Sequence, residues 1–229
     1  VPSCNVDFGV NAINAPCSSA TAHVYTTCFV KSGSDPAAPT LVGMPFLFSS
    51  GSSPFKVAMQ SQTGSVWGLA WNRSTRELYS AAFVKFGAGL GPAGIGGIYA
   101  TDVQKQQTKT FADLAALGIP VGGPSAADPL QCAYADAVGK AGLGDMDISD
   151  DDRLLFVTNL YNKSLVIIPT ESPTAASIME FKIPDPGCNQ GDYAVGAVEY
   201  YNGRVYLGVT CTAESSRSKS NFFFHIYSF

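Results

Sequence analysis

The stretch Val66-Trp-Gly-Leu-Ala-Trp-Asn-Arg-Ser-Thr-Arg-Glu-Leu-Tyr79 decides the fold, because its pattern recurs twice further along the chain. The later copies are Asp145-Met-Asp-Ile-Ser-Asp-Asp-Asp-Arg-Leu-Leu-Phe156 and Ala194-Val-Gly-Ala-Val-Glu-Tyr-Tyr-Asn-Gly-Arg-Val-Tyr206. Each copy reads as a strand, a polar turn and a second strand that opens on an aliphatic–aromatic pair. A single hairpin cannot bury its apolar face alone, so the recurrence predicts a side-by-side array of small sheets.

The spacing of the copies indicates which kind of array this is. From Leu78 to Leu155 and from Leu155 to Val205 the intervals are 77 and 50 residues. Loops of different length therefore separate the units, and this favours a β-propeller over a regular solenoid. We predict an all-β, helix-poor, β-propeller-like domain of antiparallel sheets over residues 22–229, preceded by an extended N-terminal arm over residues 1–21.

Alternating and apolar runs between turn residues predict about 15 strands and no long helix. Four-stranded blades would then number not quite four. The Asn202-Gly203 pair predicts a tight hairpin turn, because both turn positions need a positive φ. The segment Phe222-Phe-Phe-His-Ile-Tyr-Ser-Phe229 is an aromatic strand that is either paired or an exposed edge. The predicted strands are His23–Val30, Leu41–Phe48, Phe55–Gln60, Val66–Trp71, Leu78–Phe83, Ile98–Asp102, Thr110–Leu114, Asp145–Ser149, Leu154–Asn159, Leu165–Pro169, Ser177–Lys182, Ala194–Tyr200, Arg204–Cys211 and Phe222–Tyr227.

Composition excludes several classes of partner. Charged residues make up 14% of the 229 residues, against roughly 25% in ordinary soluble domains, so glycan or neighbouring copies are expected to cover the surface. The net charge of −4 and the lack of a basic run argue against nucleic acid. No apolar run reaches the roughly 18 residues of a membrane span. Because the sequence starts at Val1, we read it as a chain whose export signal has been removed.

The cysteines and two sequons predict an extracellular or cell-surface protein. Six cysteines without a CxxC motif, beside two histidines, favour disulfides over a zinc site. We predict a disulfide between Cys188 and Cys211, because the two flank the last hairpin. Cys4–Cys17 and Cys28–Cys132 are predicted as the remaining pairs. The sequons begin at Asn72 and Asn162, each in a predicted turn where a glycan could project.

Two runs match cofactor or metal motifs in residue type but lack features that the site would need. Gly89-Leu-Gly-Pro-Ala-Gly94 matches GxGxxG, but a strand follows it where a dinucleotide site needs a helix. The run from Asp145 begins like a calcium loop, but it lacks the central glycine and carries Phe156 at the twelfth position. His23 and His225 lie in apolar strands away from any nucleophile motif. We therefore predict no cofactor, no metal and no catalytic residue.

Two alternatives remain open. A secreted hydrolase would use two carboxylates that meet in space, and the available ones are Asp102, Asp113, Asp145, Asp147, Asp192 and Glu199. A lectin-like or adhesive protein would stack carbohydrate on aromatic side chains, and the available ones are Trp67, Trp71, Tyr79, Tyr99, Tyr193, Tyr200, Tyr201 and Tyr206. Aromatic residues at strand spacing are more often part of a core.

Several runs resemble one known family. They are Gly64-Ser-Val-Trp-Gly-Leu-Ala-Trp71, Gly89-Leu-Gly-Pro-Ala-Gly-Ile-Gly-Gly-Ile-Tyr99, Val138-Gly-Lys-Ala-Gly-Leu-Gly-Asp-Met-Asp147, Ile183-Pro-Asp-Pro-Gly-Cys-Asn-Gln-Gly-Asp192 and Gly203-Arg-Val-Tyr-Leu-Gly-Val-Thr-Cys-Thr-Ala-Glu214. In this order they resemble a propeller-like region of large secreted surface and adhesion proteins, which often accompanies SdrD B-like domains. The resemblance covers roughly residues 22–229. It implies an extracellular propeller without catalytic residues to transfer.

The functional hypothesis combines these points. An array that ends on an aromatic strand and has few surface charges is expected to pair with other copies, by strand addition or arm exchange. We predict a glycosylated, non-enzymatic structural subunit of an extracellular fibre, coat or matrix. The carbohydrate-binding propeller is the first alternative and the secreted hydrolase is the second.

Overall fold

Four antiparallel sheets follow one another along the chain as the blades of a β-propeller. A computed structural model of the protein describes residues 22–31, 35–46 and 53–229. The predicted all-β, helix-poor fold and its four blades are confirmed. The predicted arm over residues 1–21 lies outside the described residues. None of the helices in the described ranges is long and apolar enough to cross a membrane.

The described residues form 14 strands, and neighbours in sequence pair within each blade. Blade 1 contains β1 (His23–Thr27), β2 (Pro39–Pro45) and β3 (Phe55–Met59). Blade 2 contains β4 (Val66–Asn72), β5 (Glu77–Ala82), β6 (Gly97–Asp102) and β7 (Gln107–Asp113). Blade 3 contains β8 (Leu143–Ile148), β9 (Leu154–Asn159), β10 (Ser164–Pro169) and β11 (Met179–Lys182). Blade 4 contains β12 (Tyr193–Tyr201), β13 (Arg204–Cys211) and β14 (Phe223–Ser228).

The helices of the described ranges are single turns in the connections. Helix α1 (Gln60–Thr63) links blade 1 to blade 2, and α2 (Cys132–Ala135) lies in the long connection between blades 2 and 3. After β7 the chain makes one hydrogen-bonded turn, in which the N–H of Leu117 donates to the carbonyl of Asp113 at 3.0 Å. The strand predicted to reach Val30 stops at Thr27.

The core lies between successive blades, as the recurring hairpins predicted. Tyr79, Ile98 and Val157 belong to the apolar cluster shared by blades 2 and 3. Leu165 and Leu207 belong to the cluster shared by blades 3 and 4. A third cluster joins blade 1 to blade 2. Each blade therefore buries a face against the next one, and this stacking is the main source of stability.

The first strands of blades 2, 3 and 4 share one irregularity. Strands β4, β8 and β12 lie side by side, and each shifts its pairing register near its start, between Val66 and Leu69, Leu143 and Met146, and Val195 and Val198. Such a bulge turns the strand and strengthens its twist. Each bulge holds one glycine, namely Gly68, Gly144 and Gly196.

Candidate assembly surface

Blade 4 has one covered face and one exposed face. In β13 the side chains of Val205, Leu207 and Val209 are buried against blade 3. On the opposite face of the neighbouring strand β14, Phe224 and Ile226 are 69% and 77% exposed. Side chains alternate along a strand, so these two residues share a face with the register partners of β13, Thr210 and Gly208. We call this the open face of blade 4, formed by Tyr206, Gly208, Thr210, Phe224 and Ile226.

The equivalent face of blade 3 shows what such a surface normally packs against. Strand β10 is the third strand of blade 3, as β14 is of blade 4. Its side chains Leu165 and Ile167 pack into the cluster that blade 4 completes, and Leu165 is 4% exposed. Phe224 and Ile226 are the corresponding apolar side chains, and no blade formed by the described residues covers them. The open face of blade 4 therefore has the composition of a covered face.

The outer edge of β14 is also open within the part of the chain that the structure describes. Among the described residues β14 pairs with β13 alone. The strand Phe223–Ser228 contains no lysine, arginine, carboxylate or proline, which are the residues that usually prevent edge-to-edge pairing. Phe229 extends the pairing, since its N–H donates to the carbonyl of Val205 at 3.0 Å. This edge can accept another strand through its backbone.

The aspartates of the candidate calcium loop hold blades together. Asp145 and Asp147 of β8 accept backbone N–H donors of Val198 and Tyr200 in β12, at 3.3 and 2.6 Å. Burial raises the pKa of the Asp145 carboxyl above its usual value. Asp152 instead accepts the backbone N–H of Ser74 at 2.9 Å and so fixes the turn of blade 2. Within the described ranges no three His, Cys, Asp or Glu residues converge as a metal site.

Of the other carboxylates proposed for a hydrolase, Asp102 and Asp113 serve local turns, whereas Glu199 lies in strand β12 opposite Tyr206. Asp102 accepts the backbone N–H of Lys105 at 3.0 Å, and Asp113 accepts that of Ala116 at 3.2 Å. Asp192 accepts the backbone N–H of Ser215 at 2.7 Å. Asp192 therefore ties the segment before β12 to the segment after β13.

Most aromatic candidates for carbohydrate stacking belong to the core. Tyr79 and Tyr99 are fully buried. Trp71 stacks on Tyr25 in the contact between blades 1 and 2, with ring centroids 6.0 Å apart. Trp67 and Tyr201 are the well-exposed members of the set, at 42% and 53%. They lie on different inner strands and at opposite strand ends, so they do not form one platform.

The two sequons occupy different environments. Asn72 is buried, and its Oδ1 accepts the backbone N–H of Thr75 at 2.8 Å. A glycan on Nδ2 of Asn72 would displace this buried side chain from its position. Asn162 lies half-buried in the turn between β9 and β10, where Nδ2 donates to Glu180 at 2.9 Å. Glycosylation at Asn162 stays a prediction.

The cysteine predictions are met in part. Cys188 and Cys211 form the predicted disulfide, which ties the loop before β12 to the end of β13. Cys28 and Cys132 are free thiols, so their predicted bond is absent. Cys28 follows β1, and Cys132 opens α2 in the connection between blades 2 and 3. The predicted pair Cys4–Cys17 lies outside the described residues. A buried disulfide is typical of extracellular proteins.

No family model matches the chain. Among curated proteins it is similar to colossins of Dictyostelium discoideum. It is 28% identical to Colossin-C over 86% of this chain and 21% of that protein, and 22% identical to Colossin-A over 92% of this chain and 2% of that protein. Colossin-D is 28% identical over 69% of this chain and 18% of its own length. The chain thus spans about a fifth or less of these relatives.

Solved structures with a similar fold include a luciferin-regenerating enzyme, at 16% identity and a TM-score of 0.49 over 90% of this chain and 57% of that one. A putative oxidoreductase (glucose dehydrogenase) of Thermus thermophilus follows at 14% identity and 0.44, over 90% of this chain and 62% of that one. The PQQ-bound aldose sugar dehydrogenase of Streptomyces coelicolor is 12% identical with a TM-score of 0.39, over 90% and 75%. The prediction that the chain is not an enzyme is contradicted, since these proteins are described as enzymes. At such identities the likeness concerns the fold, and no activity is transferred.

Proposed function

We propose that this chain is a glycosylated structural unit of an extracellular fibre, coat or matrix at the cell surface, and that copies join through the open face and free edge of blade 4. The observation that carries the proposal is the exposure of Phe224 and Ile226, at 69% and 77%. The surface-protein setting implied by the sequence resemblance is part of the same proposal. The colossin likeness supports it, because in those relatives the matching region is a small part of a larger protein.

The energetic argument rests on burial. Covering a side chain such as phenylalanine or isoleucine contributes about 1.5–3 kcal/mol, and about 1.4 kcal/mol is tenfold in affinity. A second copy that packs on the open face of blade 4 would gain this from both residues. It would also satisfy the backbone groups along the edge of β14 by strand addition. The low proportion of charged residues, 14%, leaves little repulsion to oppose the contact.

The test compares self-association of the wild-type chain with that of the double variant Phe224→Lys/Ile226→Lys. We expect the wild type to form concentration-dependent oligomers in sedimentation velocity and elongated particles by electron microscopy. Because each lysine removes an apolar contact and adds a charge, the variant should associate at least ~100-fold more weakly. Its unfolding transition should not change, since both replaced side chains are exposed.

The control is Phe181→Lys, which places a single lysine on an outer strand of blade 3 at a residue that is 51% exposed. We expect this variant to associate like the wild type. A wild-type chain that stays monomeric at millimolar concentration would refute the assembly proposal. Equal weakening by Phe181→Lys would refute the assignment to blade 4.

Glycosylation has its own internal control, because both sequons have the form Asn-x-Ser. We expect peptide mapping of protein from its native source to find glycan at Asn162 and an unmodified Asn72. The physical reason is that Asn72 is 2% exposed, so a glycan there would prevent the packing of its side chain. Mass spectrometry before and after enzymatic deglycosylation reads both sites. Glycan on Asn72 in folded protein would contradict the structure.

A further inference from the structure

The described strands of blade 1 correspond to the last three strands of a four-stranded blade. Tyr25 of β1 stacks on Trp71 of β4 in blade 2, with an interplanar angle of 12°. Phe156 of β9, the second strand of blade 3, stacks in the same way on Tyr200 of β12 in blade 4, at 8°. Strand β1 therefore occupies the second-strand position of its blade, and blade 1 faces blade 2 as blade 3 faces blade 4.

This orientation identifies the face of blade 1 that points away from blade 2. Because side chains alternate along a strand, Val24 and Thr26 lie on the face opposite Tyr25. Their register partners in β2, Met44 and Val42, share that face. We call it the far face of blade 1, formed by Val24, Thr26, Val42, Met44 and, opposite Val42 in β3, Lys56.

The far face of blade 1 is largely apolar, and none of its residues belongs to the apolar clusters that join the described blades. Val24 and Met44 are half-buried, and Val42 between the two outer strands of the sheet is 9% exposed. Lys56 is the one charged side chain of this face. None of the five residues that form the open face of blade 4 is charged, so the two surfaces can approach without repulsion between like charges.

The contact between blades 3 and 4 shows how two such surfaces fit together. Blade 4 packs on blade 3 through the face that carries Val205, which is 8% exposed. Val205 directly precedes the aromatic residue of its second strand, Tyr206, as Val24 directly precedes Tyr25. The far face of blade 1 therefore corresponds to the face that blade 4 turns towards blade 3. The open face of blade 4 corresponds to the face that blade 3 turns towards blade 4.

We propose that the open face of blade 4 in one copy packs on the far face of blade 1 in the next copy, as blade 3 packs on blade 4 within the chain. Phe224 and Ile226 of one copy then cover the apolar centre of the far face in the other. This inference rests on the proposed self-association and identifies the surface of the second copy that blade 4 binds. Each copy has both surfaces and therefore binds two neighbours.

The experiment uses two variants, each of which disables one surface. Phe224→Lys/Ile226→Lys disables the open face of blade 4, and Val24→Glu/Met44→Lys disables the far face of blade 1. The second pair carries opposite charges, because its two residues are register partners and like charges there would destabilise the sheet. We expect the blade 1 variant alone to associate at least ~10-fold more weakly than the wild type, since it loses apolar contact.

The decisive measurement is sedimentation velocity of an equimolar mixture of the two variants, with a fluorescent label on one of them. Each variant keeps the surface that the other lacks, so we expect 1:1 complexes of wild-type affinity and no larger particles. Thermal unfolding of each variant checks that it is folded. If the charged pair in blade 1 prevents folding, Val24→Thr/Met44→Thr takes its place, because threonine is favourable in strands.

The possible failures are distinguishable. A folded blade 1 variant that associates like the wild type, in a mixture that forms no 1:1 complexes, would overturn the assignment of the far face and leave the proposed self-association standing. A wild-type chain that remains monomeric would refute the self-association itself, and the assignment with it.

Discussion

Replacing Gly68 with alanine is expected to lower the free energy of unfolding by about 3 kcal/mol, the upper part of the range for overpacking. A Cβ at this position would lie 2.6 Å from the carbonyl oxygen of Gly144 and 2.7 Å from the backbone nitrogen of Met146. Both atoms belong to the backbone of β8, so no side-chain rotation relieves the contact. Blades 2 and 3 would have to separate along their inner strands. Urea-induced unfolding measures the change.

Gly196→Ala is the matched control for this prediction. Gly196 occupies the corresponding bulge of β12, but a Cβ there meets no atom within 4 Å. We expect its stability to stay within about 0.5 kcal/mol of the wild type. If the two variants lose equal stability, the close approach of β4 and β8 is not what requires glycine at position 68.

Removing the Cys188–Cys211 disulfide is expected to destabilise the chain by about 3 kcal/mol. The two cysteines are separated by 23 residues in sequence, and in the chain-entropy treatment a closed loop of this length restricts the unfolded state by that amount. Both cysteines are buried, so alanine is the suitable replacement. Guanidinium unfolding of Cys188→Ala/Cys211→Ala against the wild type gives the value.

The single variants provide the control for the disulfide. Cys188→Ala and Cys211→Ala each break the same bond, so each should lose nearly as much stability as the double variant. Additive losses would mean that the two side chains act by separate packing and that the bond itself contributes little. Intact mass without reduction verifies the bond in the wild type.

The blades were predictable because their information is local. The pairs Leu78-Tyr79 and Leu155-Phe156 open strands β5 and β9 within one residue, as the alternating pattern requires. The Asn202-Gly203 turn has φ values of 51° and 78°, so its positive φ values follow from the dipeptide alone. Short-range pattern and turn chemistry therefore determine the hairpins.

Contacts between blades were not predictable in the same way. Asn72 reads as a glycosylation site in a turn, yet its side chain is buried beside Asp152 of blade 3. Asp145 and Asp147 read as metal ligands or catalytic acids, whereas each accepts a backbone N–H from β12. In each case the deciding partner is distant in the sequence, and a local pattern carries no information about it.

The open face of blade 4 was predictable only in outline. The aromatic run from Phe222 identified β14 as a strand with an uncertain partner. Whether Phe224 or Phe223 lies on the exposed face depends on the register with β13, where Phe224 meets Thr210. A slip of one residue exchanges the two faces. The register was therefore the missing information.

The glycines of the inner strands show that the stack of blades has a direction, because those of β4 and β8 lie against the blade that follows. Gly68 lies against β8, and a Cβ on Gly144 would lie 3.2 Å from the carbonyl oxygen of Gly196 in β12, whereas Gly196 has open space beside it. The two ends of the array are consequently unlike, and a copy that stacks in the same sense meets a surface different from the one it contributes. Such head-to-tail contact leaves an identical free end after every addition, so growth stops only if the rotation closes a ring.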